Sequence, residues 1–412
     1  MGMIINIDEA LKNRSVYNVL AEPLNKMMMD LQEAWEASNP IDHLYVRKSI
    51  DKFQESFSSS IGFDNAFVET SDYAVAPIFN QHEGFSAIYR TRTFQGGFVI
   101  TQQVLEDRQV GKIKDDASAF TKRWHGNIVE FAMKYLDGGF GIPVTWGDID
   151  GTTSRLQLQS ADTADGDIYN ANKNPLFYKA HKTVKRTADM TPISQSNIFC
   201  ATDGNGNYGI DLSGSSSAKI SGLADLINQV VTEMENYKND NGKYVQMPGE
   251  FEIVAANDPH LKAAIETALS MDMFNFGESK YVNPAYKRCK TYYTPYLRDI
   301  EATKDGVGFF VVNKAYNAEN HGPEFTERIP FTLDAFWQQE PKGVKYSGRQ
   351  RWDIHVASWR GIAYVRVAAF DNTPEAGLDT ILNTSSNYKA LTLSAPIAKP
   401  VSIVSPTTFP QA

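Results

Sequence analysis

Cysteine is nearly absent from this chain, with Cys200 and Cys289 the only two in 412 residues. Two thiols are too few for a disulfide framework and too few for a structural zinc site. That points to a reducing cytoplasm and leaves open only a single Cys200–Cys289 bridge. Long apolar runs are missing as well, since none approaches the roughly 18 residues needed to cross a bilayer. The first fourteen residues carry Asp8 and Glu9 and lack the basic-then-apolar order of a leader. Met1-Gly2 begins like a myristoylation signal, but Asn6 stands where Ser or Thr is required. Positive charge is in deficit, with 40 Lys and Arg against 49 Asp and Glu and a net charge of −9. A general electrostatic grip on nucleic acid is therefore not expected.

Chemistry-bearing constellations are equally scarce. The seven histidines (His43, His82, His125, His181, His260, His321, His355) are scattered, and none pairs with another at a metal-ligand spacing. His125 is expected at the surface or an interface, and His355, alternating with Ile354 and Val356, at a satisfied polar position in a strand. Gly204-Asn-Gly206-Asn-Tyr-Gly209 matches the dinucleotide fingerprint, yet the mechanism needs a helix opening on the last glycine. Ile210-Asp-Leu-Ser-Gly-Ser-Ser-Ser follows instead, which favours a plain Gly/Asn loop. Asp203-Gly-Asn205-Gly-Asn207 starts like a calcium loop, but Tyr208 replaces the glycine of its sharp turn and Gly214 replaces the closing Glu. Ser215-Ser216-Ser217 is no nucleophile elbow. Helix capping and turn formation account for Asp115/Asp116 and Asp148/Asp150. No catalytic, cofactor or metal site is expected.

What the sequence does hold is shape. Its length allows two or three cores, because single cores stop growing at roughly 250–300 residues. Val16, Leu20, Leu24, Met28, Leu31 and Trp35 set a helical pattern over 15–37, interrupted by Pro23. Ile50 to Phe79 mixes aromatics with Ser and Gly and reads as extended. Phe85–Phe94, Gln95-Gly96-Gly97 and Phe98–Thr101 read as two strands about a glycine turn, one face cationic through Arg90 and Arg92. A two-stranded ribbon is marginal alone in water and needs a partner surface.

A short helical piece over Gln102 to Val110 precedes a long helix from Asp115 or Asp116 to about Leu136. Its stripe is Phe120, Trp124, Ile128, Phe131 and Tyr135, and Gly138-Gly139 stops it. Residues 140–220 yield no firm element beyond strand-like runs such as Ser154–Leu158 and Asn197–Ala201. The clearest unit follows. Leu223, Leu226, Ile227, Val230, Met234 and Tyr237 share a helix face capped by Ser221 and closed by Gly242; Phe251–Ala256 is a strand; Asp258 caps a helix with Pro259 in its first turn. Strands follow at Arg288–Tyr293, Gly306–Asn313, Thr326–Leu333, Gln350–Ala357 and Gly361–Phe370, the last two joined by a turn at Trp359-Arg360-Gly361. After Asp371 the composition shifts to Pro, Ser, Thr and Ala.

This order of elements resembles the major capsid proteins of tailed phages, the Hong Kong 97-type fold. Three stretches carry the likeness: Ile100-Thr-Gln-Gln-Val-Leu-Glu-Asp107; Leu223 to Asn241 with Gly242-Lys243, Met247-Pro248 and Glu252-Ile253-Val254; and Tyr346-Ser-Gly-Arg349-Gln-Arg351-Trp352-Asp353 with Trp359-Arg360-Gly361. The resemblance implies an α+β fold with an N-terminal arm (1–79) and an extended hairpin loop (80–101). A peripheral domain would span 102–220, with its spine helix at 116–136 and an insertion within 140–220. An axial domain (221–345), returning peripheral strands (346–371) and a tail (372–412) would complete it.

It also implies a non-enzymatic major capsid protein that self-assembles as hexamers and pentamers into an icosahedral shell around double-stranded DNA. That DNA would be held by weak non-specific contact. Portal, scaffolding or decoration proteins are further implied partners, with no membrane; the location would be the virion, after assembly in the host cytoplasm. Phe85, Tyr89, Arg90, Arg92, Phe94 and Phe98 would make the intersubunit contact, the two arginines pairing with a neighbour's carboxylates. Lys112 and Lys114 lie beyond the ribbon, so no cross-linking site is carried over. The alternatives are an encapsulin-type nanocompartment shell on the same fold, and a nucleotide-binding enzyme using Gly204–Gly209.

Overall fold

Runs of β-branched and aromatic residues with no polar alternation, such as Phe251–Ala256 and Gly308–Asn313, suit strands covered on both faces. In the computed structural model those two runs lie side by side at the centre of a six-stranded sheet. The structure describes residues 16–63, 81–107, 110–142, 144–145, 153–154, 175–183, 191–203, 207–210, 212, 217–239, 242–276, 279–339, 342–370 and 382–393.

In chain order, α1 (Val16–Glu36) leads to β1 (Val46–Ser49), β2 (Gln54–Phe63), β3 (Gln81–Arg90) and β4 (Arg92–Thr101). The helices α2 (Gln102–Glu106) and α3 (Val110–Lys134) follow. Four two-residue strands come next: β5 (Val144–Thr145), β6 (Thr153–Ser154), β7 (His181–Lys182) and β8 (Ser194–Gln195). Then come β9 (Ile198–Thr202), α4 (Ser217–Glu235), β10 (Phe251–Ala256), α5 (Pro259–Ser270), β11 (Met273–Phe276), β12 (Ser279–Val282), β13 (Cys289–Thr294), β14 (Gly308–Asn313) and α6 (Lys314–Glu319). The chain closes with β15 (Glu324–Gln339), β16 (Lys342–His355), β17 (Ile362–Arg366) and β18 (Lys389–Thr392).

The six-stranded sheet runs β13-β10-β14-β17-β9-β18. Leu223, Leu226, Ile227, Val230, Val231 and Met234 of α4 are fully buried in the same core as its strands. Each such side chain contributes roughly 1.5–3 kcal/mol of burial. Asp258 caps α5 as expected, accepting the His260 and Leu261 N–H groups at 3.0 and 2.9 Å. Ser221 is no cap: α4 begins at Ser217 and Ser221 is buried within it. Gly242 does adopt a left-handed φ of 73°, but in a loop after α4 has ended at Glu235.

A four-stranded sheet, order β1-β15-β16-β4, covers α3. Gly96 and Gly348 open the sheet to that helix: a Cβ on Gly96 would sit 3.1 Å from the Trp124 ring, and one on Gly348 would sit 3.4 Å from the Phe120 ring and 2.8 Å from Phe331 of β15. Phe98 stacks on Tyr346 at 5.0 Å and meets Phe120 at the same separation.

Several expectations are corrected by these pairings. The ribbon does not turn at Gln95-Gly96-Gly97. Strands β3 and β4 run on through Thr91; β3 pairs with β2, whereas β4 pairs with β16 from Arg92 to Thr101. Gly97 is small for strand packing, since its Cβ would lie 2.4 Å from the Tyr346 carbonyl. Gln350–Ala357 and Gly361–Phe370 are no hairpin: β16 and β17 belong to different sheets, and Trp359 lies buried where the chain passes between them. The unit 221–345 is not closed on itself, because its sheet takes β9, β17 and β18 from outside that range. The expected tail contributes β18 and the buried Leu382, Tyr388, Leu391 and Leu393.

The arm expected over 1–79 is in part globular. α1 lies along α3, continuing past Pro23, and β1 pairs in parallel with β15. α3 starts at Val110, so Asp115 and Asp116 stand exposed in its second turn rather than at its tip. The expected insertion in 140–220 falls largely outside the described residues.

Candidate intersubunit surfaces

Once β3 and β4 are one path through two sheets, the lone two-stranded ribbon is β2–β3, residues 54–63 and 81–90. Gln54 pairs with Arg90 at its base and Phe63 with Gln81 at the outer end of the described pairing. Among the described residues no other strand pairs with either. The side chains of Phe85, Tyr89 and Arg90 lie outside the described residues.

Five contacts hold the base of the ribbon and the start of β4. The Thr91 N–H donates to the Phe53 carbonyl at 3.3 Å. The Arg92 Nε lies 3.4 Å from the Asp353 carboxylate, and its Nη2 3.5 Å from the Tyr135 hydroxyl. Arg328 donates through Nε to the Asp51 carbonyl at 3.1 Å. The Arg351 guanidinium stands 5.4 Å over the Phe53 ring. Burial pushes the Asp353 carboxyl up to about 6, against the pull of Arg92. Arg92 was expected to meet a neighbour's carboxylate; it meets this chain's own. Phe94 and Phe98 likewise pack internally, Phe94 stacking on Trp352 at 4.4 Å.

The expected spine residues share the inner side of α3. Ile128, Phe131 and Tyr135 are buried, and Phe120 and Trp124 are half-buried under the sheet. The Trp124 indole N–H donates to Gln350 Oε1 at 2.9 Å. His125, expected at the surface or an interface, is 4% exposed and stacks on Trp35 of this same chain at 4.3 Å. Its Nε2 has no hydrogen-bond partner, and burial pushes its pKa down to about 4.

Because the folded value of His125 lies below the ordinary 6.5, the unfolded chain binds the proton more readily as pH falls. His125 should therefore cost the fold about 2–3 kcal/mol on going from pH 7 to pH 4.5. His125→Phe is expected to remove that part of the acid sensitivity, read as urea midpoints of both proteins at the two pH values. A parallel loss in both would assign the sensitivity elsewhere.

A second polar cluster holds β1 against the start of the β15–β16 hairpin. Glu324 is 1% exposed and ion-paired with Lys48, with His321 Nδ1 at 3.0 Å and His355 Nε2 at 2.9 Å. Burial would raise its pKa, but the hydrogen bonds from His321, His355 and Lys48 win and hold the carboxyl down at about 2. Sequence reading missed this cluster because its members are joined by strand register: Glu324 pairs with His355 across the hairpin. His355 is the satisfied strand residue that was expected.

Cys200 and Cys289 are free, and burial pushes both thiols up to about 12. They sit on strands four places apart in the sheet, roughly 19 Å at ordinary strand spacing, far beyond disulfide reach. Gly204 and Gly206 lie outside the described residues. Gly209 is required by close packing, since with φ 89° its Cβ would strike the Ala369 backbone N at 2.5 Å. Among the described residues no three His, Cys, Asp or Glu side chains are grouped to hold a metal ion, and no helix is long and apolar enough to cross a membrane. Large apolar side chains are exposed at Met29, Tyr244 and the cross-strand pair Met273 and Val282 of β11–β12.

No protein-family model matches the chain, and no curated protein matches it. Solved structures do. The capsid of Ralstonia phage GP4 is similar at 9% identity and a TM-score of 0.43, over 83% of this chain and 92% of that one. A structure of Mycobacterium phage Patience is similar at 13% identity and a TM-score of 0.41, over 94% and 98%. The virus-like particle from Pyrococcus furiosus is similar at 10% identity and a TM-score of 0.39, over 84% and 98%.

Proposed function

We propose that this chain is a major capsid protein of the Hong Kong 97 type, a non-catalytic subunit that assembles with copies of itself into a closed shell around double-stranded DNA. The observation that carries the reading is the β2–β3 ribbon. It leaves the four-stranded sheet through Thr91 and pairs with no other strand among the described residues. A lone two-stranded ribbon gains too little in water to persist, so a surface on another molecule must cover it. The base contacts of Asp51, Phe53, Arg92 and Arg328 aim it rather than cover it. A ribbon on one copy meeting a different patch on the next is a head-to-tail contact, which closes into rings; rings with slight angular variation tile a shell.

Replacing residues 56–88 by a short Gly-Ser link is the direct test. The shortened chain should keep its far-ultraviolet circular dichroism per folded residue and sediment as a small species. The intact chain should form particles visible by negative stain. An intact chain that stays small under every salt and concentration condition would overturn the proposal. Particles that never contain nucleic acid when purified from infected cells would favour the encapsulin-type alternative.

A further inference from the structure

The four-stranded sheet has two unlike faces. Positions 346, 348, 350 and 352 of β16 bring Tyr346, Gly348, Gln350 and Trp352 inward to α3, and all are buried. Alternate positions point the other way, and there β16 carries Lys345, Ser347, Arg349 and Arg351, exposed or half-exposed. Register extends this face across the neighbours. Arg349 lies between Thr332 of β15 and Gln95 of β4, and Arg351 between Ile329 and Thr93. Lys345 rests 5.7 Å over the Phe336 ring. Burial first, and then repulsion from Arg328 and Arg349, pushes Arg351 below its ordinary pKa, and Arg351 Nε lacks an acceptor. The carboxylate in register on this face is Asp334, opposite Ser347. In a chain of net charge −9, this is a concentrated positive patch.

The ribbon has the opposite charge. The described strands of the ribbon hold Glu55 and Glu83 against Arg90, and the intervening sequence 64–80 adds Asp64, Glu69 and Asp72 with no Lys or Arg.

We infer that the Lys345–Arg349–Arg351 face of one copy receives the acidic β2–β3 ribbon of a second copy. This rests on the shell reading above and names the surface that covers the ribbon. It also reverses the polarity expected from Arg90 and Arg92: the cations sit on the receiving sheet and the carboxylates on the ribbon. The patch adjoins the base of its own ribbon, where Arg351 covers Phe53 and Arg328 holds Asp51. One ribbon would thus land where the next departs, the repeating geometry of a head-to-tail ring. Complementary charge of this kind sets register and encounter rate and weakens in salt.

The test is charge exchange in the full-length chain. Arg349→Glu with Arg351→Glu should lower particle yield roughly tenfold or more while circular dichroism stays unchanged. Adding Glu55→Lys and Glu83→Lys to that chain should restore most of the yield. Arg349→Gln with Arg351→Gln, which only neutralises, should give an intermediate yield and a weaker salt dependence. Normal yield from the double glutamate variant would overturn the inference while leaving the shell reading intact, as would loss without any rescue by the exchanged ribbon. Particles of normal yield but reduced nucleic-acid content would assign the patch to the packaged DNA instead. Absence of particles from the unaltered chain would count against the shell reading itself.

Discussion

Trp352→Ala should destabilise the folded chain by about 3–5 kcal/mol, the usual cost of emptying a large aromatic site. The indole is 2% exposed and sits where the four-stranded sheet, α3 and the main core meet. It stacks on Phe94 at 4.4 Å and on Phe325 at 4.9 Å, and meets Phe131 edge-on at 5.1 Å. Those rings come from three different elements, so collapse around the void would require moving strands against a helix. The indole N–H has no hydrogen-bond partner, so Trp352→Phe should recover much of the loss by keeping an aromatic ring in place. Urea unfolding followed by far-ultraviolet circular dichroism measures both. Equal stability of the alanine variant and the unaltered chain would mean the junction is not packed as described.

Glu324→Gln should cost roughly 3 kcal/mol at neutral pH, and the difference from the unaltered chain should vanish in acid. The carboxyl sits at about 2 in the fold against 4.5 ordinarily. Its contribution is therefore complete above pH 4.5 and lost as pH falls through about 2. The glutamine leaves Lys48, His321 and His355 without their common anion, a cost of the kind seen when one partner of a buried pair is removed. Asp137 and Asp353, both raised to about 6 by burial, act in the opposite sense. They favour the fold most at low pH and lose that contribution as pH rises through about 6. Subtracting the variant's pH profile from that of the unaltered chain cancels them and isolates Glu324. A difference that is flat from pH 7 to pH 2 would show that the carboxylate's charge is not what holds the cluster.

The elements that were readable from sequence are those whose signals are local. α1 and β10 stand close to where apolar spacing puts them, and Asp258 with Pro259 starts α5 as side-chain geometry demands. Misreadings gather where one local pattern serves two tertiary outcomes. Gln95-Gly96-Gly97 carries good turn chemistry, but here the glycines admit Trp124 and the Tyr346 carbonyl. The short stretch between β16 and β17 looks like a hairpin turn, yet β16 pairs with β15 and β17 with β14. His125 gave no sign of burial because its burial comes from α1, nearly a hundred residues earlier. The arginine face was visible as an alternation in Tyr346–Asp353, but only register with β15 and β4 makes it a patch.

By itself, then, the amino-acid order marked the long helices and the central strands, held too few cysteines for a disulfide framework, and called for a strand pair too thin to stand alone. Those follow from periodicity, composition and capping, which act within a few residues. Only tertiary structure decided which strands form the ribbon, which sheet takes the residues near the C-terminus, and which charges gather on one face. Strand pairing is selected by whatever buries the opposite face, and here that means α3 for one sheet and the α4-covered core for the other.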